Sequence, residues 1–115
     1  PLRVGRESKM LQLTAGCLAN LGLCEAYAGD SVASEAALVE SVQMVEALGS
    51  WMLAGWLECR RAEACWALGD PVRAREYLDA AWACAHAHNA SSKSILGATI
   101  ARVEGKLLKD PPAAR

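Results

Sequence analysis

Three groups of residues in this chain have the types and spacing to do chemistry. The first is Cys84-Ala85-His86-Ala87-His88. On a helix Cys84 and His88 share a face at i, i+4, whereas His86 points elsewhere. Zinc requires four ligands, or three with a water, and no second pair stands nearby in sequence. The histidines therefore read as helix-end residues facing the C-terminal dipole, and no metal is expected. The second group, Glu58, Arg60, Arg61 and Glu63, reads as surface ion pairs rather than a catalytic carboxylate pair. The third is a stripe in which Trp56, Cys59, Glu63 and Trp66 follow one another at helical spacing. Two indoles flanking a carboxylate can clamp a peptide or a small ligand, because Trp offers large rigid area and is enriched at binding hot spots. The competing reading is that these Trp side chains fill an alanine-rich core.

Other catalytic signatures are missing. The chain has no G-x-S-x-G elbow, no glycine-rich phosphate loop and no H-E-x-x-H pair, so it is read as a non-enzyme without a cofactor. Net charge is -1 over 115 residues, which gives no electrostatic case for a nucleic-acid partner or an anionic membrane. The five cysteines are an odd set without a C-x-x-C spacing, which favours reduced thiols in the cytoplasm over a secreted disulfide framework. Cys17 and Cys24, on one helical face, are expected to be small buried hydrophobes. Leu11 to Ala28 is nearly uncharged, yet Gln12, Thr14, Asn20, Glu25 and two glycines argue against a membrane span. Covering by other helices is the better reading, with one cover expected to be missing.

The elements that would position these residues announce themselves as a repeat. Gly29-Asp30 recurs as Gly69-Asp70, and Lys109-Asp110 follows at the same interval of 40 residues. Such a period marks stacked units that cannot bury their apolar faces alone. Each period predicts two helices. The first type, A, is expected from Met10 to Ala28, Trp51 to Leu68 and Ser92 to Leu108; the second, B, from Ser31 to Leu48 and Pro71 to His88. Asp30, Asp70 and Asp110 suit N-caps, with Pro71 and Pro111 at the first helical position. Gly29, Gly49, Gly69 and Asn89 suit left-handed helix ends, and Ser50 and Ser91 or Ser92 would cap the next helix A. Leu38, Val42, Val45 and Leu48 form one apolar stripe, and Leu78, Trp82 and Ala85 another. Small residues at Ser34, Ser41, Ala74 and Ala81 would let helices approach closely.

With these residues in view, the chain resembles the tetratricopeptide-repeat family in its longer bacterial form of about 40 residues per unit. Leu21, Gly22, Gly29, Asp30 and Leu38 carry the likeness in the first unit, and Ala62, Gly69, Asp70, Ala74, Leu78 and Ala81 in the second. Ala101 to Leu108 is similar to the third-unit counterpart in bacterial signal-transduction ATPases and maltose-activator-like transcriptional regulators. Glu25, Glu58 and Arg61 depart from the pattern. The resemblance implies an all-α, right-handed solenoid of about five helices forming one domain over residues 1–115, with units 11–50, 51–90 and an incomplete 91–115. It also implies a piece of a larger regulatory protein. In this family helix A lines the concave face, so Tyr27 on the first A helix, Trp56, Cys59, Glu63 and Trp66 on the second, and Thr99, Val103 and Lys106 on the third become candidate binding residues. The function implied is non-catalytic recognition of a protein or peptide in signalling or transcription regulation. The alternative is a small-molecule sensor controlling an attached ATPase or DNA-binding domain. Self-association is a further expectation, because apolar surface on the first helix and the third unit lacks a cover.

Overall fold

Every unit of this chain turns on the same short piece of chemistry. The computed structural model describes residues 2–91 and 93–109. It holds five helices, α1 (Leu2–Tyr27), α2 (Ser31–Leu48), α3 (Trp51–Ala67), α4 (Pro71–Ala87) and α5 (Ile95–Leu107), and no strand among those residues. Gly29 and Gly69 end α1 and α3 with φ of 85° and 82°, a region closed to most side chains by clash with Cβ. The amides beyond them then reach back into the helix, Asp30 N–H to Glu25 O at 2.9 Å and Asp70 N–H to Cys65 O at 2.8 Å. Asn89 repeats the device at φ 55°, with Ala90 N–H on Ala85 O. The carboxylates of Asp30 and Asp70 accept from Ala33 N–H and Arg73 N–H, so each turn closes one helix and caps the next.

Two boundaries differ from expectation. Helix α1 starts at Leu2 rather than Met10, because no proline stands from Leu2 to Lys9 and a single glycine, Gly5, does not stop a helix whose turns propagate. Helix α5 starts at Ile95 under a Ser94 cap, not under Ser91 or Ser92. Ser91 instead forms a turn of its own, accepting Ser94 N–H and Oγ–H on its carbonyl and Lys93 N–H on its hydroxyl. Ser92, and the Asp110 and Pro111 expected to open another helix, lie outside the described residues.

The small residues do what their size allows. Ser34, Ser41, Ala74 and Ala81 are buried, and Ser41 Oγ donates to Ala15 O at 2.8 Å across the α1–α2 seam. Helices α1 and α2 pair antiparallel, as do α3 and α4. Neighbouring A helices run parallel, and their contacts fall near one period apart: Tyr27 meets Trp66, and Lys106 meets Glu63. Helix α2 seats on α1 and α3, and α4 on α3 and α5, but α2 and α4 do not touch. The A helices therefore form one layer, whose inner face is the side turned away from α2 and α4. Two apolar clusters result, Ala15, Ala19, Ala26, Leu38, Val45, Leu57 and Ala64 on one side of α3, and Cys59, Ala62, Leu78, Ala81, Ala85, Leu96, Ile100 and Val103 on the other.

Helix α1 has a long uncovered face. Cys17 and Cys24, expected to be buried, are both exposed, because the face they share points away from the Ala15, Ala19, Gly22 and Ala26 stripe that α2 covers. No helix among the described residues is long and apolar enough to cross a membrane.

Candidate functional site

The inner face of α1, α3 and α5 carries two adjoining features. Between the N-terminal ends of α3 and α5 and the middle of α1 lies an apolar groove of about 490 Å³, lined by Gln12, Gly16, Ser50, Met52, Leu53, Trp56, Ile95, Leu96 and Thr99. Gly16, Trp56 and Leu96 occupy the same place in successive periods. A glycine there leaves open space beside α1, with nothing within 4 Å of where a Cβ would stand, and the groove opens into that space.

At the C-terminal end is a polar cluster. Glu63, only 2% exposed, accepts from Arg60 at 2.9 Å on one oxygen and from Lys106 Nζ at 3.2 Å on the other. Lys106 also donates to the Tyr27 hydroxyl, 79 positions earlier in the chain. Its ammonium sits 5.1 Å from the Tyr27 ring centroid and 5.3 Å from that of Trp66, and the two rings meet edge to face. Helix α5 thus reaches α1 across α3 through the length of the Lys106 side chain. Burial alone would pull the Lys106 ammonium down, but the Tyr27 and Glu63 hydrogen bonds and the Glu63 charge outweigh it and hold its pKa above the ordinary lysine value.

Four of the residues nominated from sequence, Tyr27, Glu63, Trp66 and Lys106, are thereby brought together, and Trp56 and Thr99 line the groove. Cys59 and Val103 are not available. Both are buried in the α3–α4–α5 core, and burial, with Glu63 nearby, pushes the Cys59 thiol up to about 12, which leaves it protonated and a poor nucleophile. Trp66 is likewise mostly core at 7% exposed, although its indole N–H is buried without a partner among the described residues. Beyond it lies a smaller pocket of about 110 Å³, bordered by the Arg75–Glu104 ion pair at 3.1 Å.

The reading of the charged run as surface pairs needs correction at Glu63, which is buried and paired with both Arg60 and Lys106. Glu58 and Arg61 stand 3.8 Å apart and half-buried; burial raises the Glu58 pKa, and Arg61 only partly offsets it. Arg61 spends its remaining contacts on Tyr77, by hydrogen bond and by stacking.

Arg60 is the residue that sequence reasoning missed. Its guanidinium lies 5.1 Å from the Trp56 ring centroid while pairing with Glu63, so it joins groove to cluster. The signal was present in its i, i+3 spacing to Glu63. The cysteine–histidine run resolves into packing: His88 stacks on Trp51 with centroids 4.4 Å apart, His86 stacks on Trp82, and the Cys84 thiol donates to Trp51 O. No group of three or more His, Cys, Asp or Glu side chains able to hold a metal occurs among the described residues. Comparison of the chain with protein-family models, curated proteins and solved structures gives no match.

Proposed function

We propose that this chain is a tetratricopeptide-like interaction module of a bacterial regulatory protein, right-handed in its superhelical path, whose inner face binds a peptide segment of a partner. One observation carries the reading: Arg60 spans from Trp56 at the apolar groove to Glu63 in the polar cluster, making one continuous surface of the two. The groove has the volume for one or two apolar side chains, and small-ligand and peptide sites of this kind are mostly apolar with a few placed polar groups. Beside it, Arg60 and Lys106 outnumber the single carboxylate between them. An excess positive charge at the edge of an apolar slot favours a peptide with an acidic residue close to a bulky apolar one. Protein recognition of this sort needs neither nucleophile nor metal.

The test is a fluorescence titration using short acetylated peptides with a central leucine, flanked either by aspartate or by lysine. The aspartate series should quench or shift Trp emission at lower concentration than the lysine series. Trp56→Ala and Arg60→Met should each weaken it by about tenfold or more, as interface anchors do. Trp56 is only partly buried, at the edge of the α1–α2–α3 cluster, so its truncation should leave helical content nearly intact. Equal responses to both series, or binding that ignores both substitutions, would remove the inner face as the site.

A further inference from the structure

The outward face of α1 carries Met10, Leu13, Cys17, Leu21 and Cys24, all exposed; Met10 and Leu13 are 63% and 65% open to solvent, and Leu21 49%. No charged side chain occurs from Met10 to Cys24. The register of the repeat shows what kind of surface this is. One period later, the positions of Leu13, Cys17 and Cys24 are held by Leu53, Leu57 and Ala64, which α3 packs into the cluster it shares with α1 and α2. At three of the five stripe positions helix α1 therefore presents to solvent what α3 packs against neighbouring helices, while Met10 and Leu21 correspond to Ser50 and Arg61.

The stripe is also self-complementary. Its spacing, three, four, four and three, reads the same in both directions about Cys17. Laid antiparallel on itself, it sets Met10 against Cys24 and Leu13 against Leu21, long side chain on short and like on like. Arg6, Glu7 and Lys9, net positive, precede the stripe and Glu25 and Asp30 follow it, so the same arrangement brings the more basic end of one helix beside the acidic end of the other. A parallel pairing would instead align like charges. We propose that two copies of this chain pair through α1, antiparallel, about a twofold axis at Cys17. Such an interface is isologous and closes at a dimer. It lies on a different side of α1 from Gln12 and Gly16, so it leaves the inner groove open in both copies.

Sedimentation of the full chain, reduced, from about 1 to 300 µM should show a monomer–dimer equilibrium with no larger species. Leu13→Glu should weaken dimerisation by at least about tenfold, with unchanged helical content because Leu13 makes little use of its own chain. Val72→Glu, at a comparably exposed apolar position on α4, should not. Diamide treatment should then join Cys17 to its counterpart, the two thiols giving two protons and two electrons to diamide as the S–S bond forms. Cys17→Ser should abolish that linked dimer and Cys24→Ser should retain it. A monomer throughout, a dimer indifferent to Leu13→Glu, or oligomers growing past two would overturn the proposal. A dimer that links through Cys24, or that fails to link through Cys17, would overturn the antiparallel axis.

Discussion

At the scale of single residues, the inner face is organised around one buried carboxylate. Glu63 has given up its water, and two cations from different helices replace it, so each charge depends on the others. Removing one member of a buried ion pair leaves its partner uncompensated, at a typical cost of 3–5 kcal/mol. Because Arg60 and Lys106 are partly exposed and can turn to water, Glu63→Leu should stay below that, lowering stability by about 1.5–3 kcal/mol in a denaturant melt. The same treatment of Lys106, whose side chain is still about one-third exposed, leaves Glu63 paired with Arg60 and should cost about 1 kcal/mol or less. Equal losses at the two positions would show that Arg60 does not sustain Glu63 alone. This asymmetry separates the buried carboxylate that holds the cluster together from a cation at its edge.

At the scale of elements, close approach of helix pairs rests on residues with little or no side chain. Gly22 lies against α2 so tightly that a Cβ there would stand 2.7 Å from Leu38 Cγ and 3.2 Å from Ser34 O. Leu38 is itself 4% exposed and held in the α1–α2–α3 cluster, so it has little room to yield. Gly22→Ala should thus destabilise by about 1–3 kcal/mol, as overpacking does, despite the better helix propensity of alanine. Gly105, on α5, has nothing within 4 Å of its would-be Cβ. There the propensity gain stands unopposed, and Gly105→Ala should stabilise by up to about 1 kcal/mol. Thermal melts moving in opposite directions would confirm that one glycine serves packing and the other does not.

At the scale of the whole molecule, α3 is the element on which everything else rests. It touches α1, α2, α4 and α5, while the two helix pairs have no other direct B-to-B contact, and both apolar clusters draw on it. Local opening costs least where few apolar contacts cover the backbone. Hydrogen exchange should therefore find the α3 amides between Leu57 and Trp66 the slowest, with the first turns of α1, which precede its α2 contacts, among the fastest. Protection as strong in α5 as in α3 would mean that the second cluster holds without the first. A chain stacked in this way behaves as neighbours supporting neighbours, each helix pair depending on the one beside it.

The helices and their order were legible in the sequence because their signals are local. A glycine at a left-handed position, an aspartate that caps the next helix and a proline at the first helical turn act within a few residues, and their recurrence fixed the period. That period also set Tyr27, Glu63, Trp66 and Lys106 on comparable tracks of the A helices, together with Trp56, Cys59, Thr99 and Val103, without saying which of the eight meet. What the period left open was the rotation of each helix, because Trp56, Cys59, Glu63 and Trp66 span a wide arc of α3. Only the packed structure decided that Cys59 and Val103 turn into the α3–α4–α5 core, that Trp66 is mostly core, and that Arg60 faces inward to bind Glu63. It decided equally that Cys17 and Cys24 face solvent. Composition along a helix shows that an apolar face exists; which neighbour covers it is a property of the assembled array, set by the few ångströms at which small residues let α1, α2 and α3 close on one another.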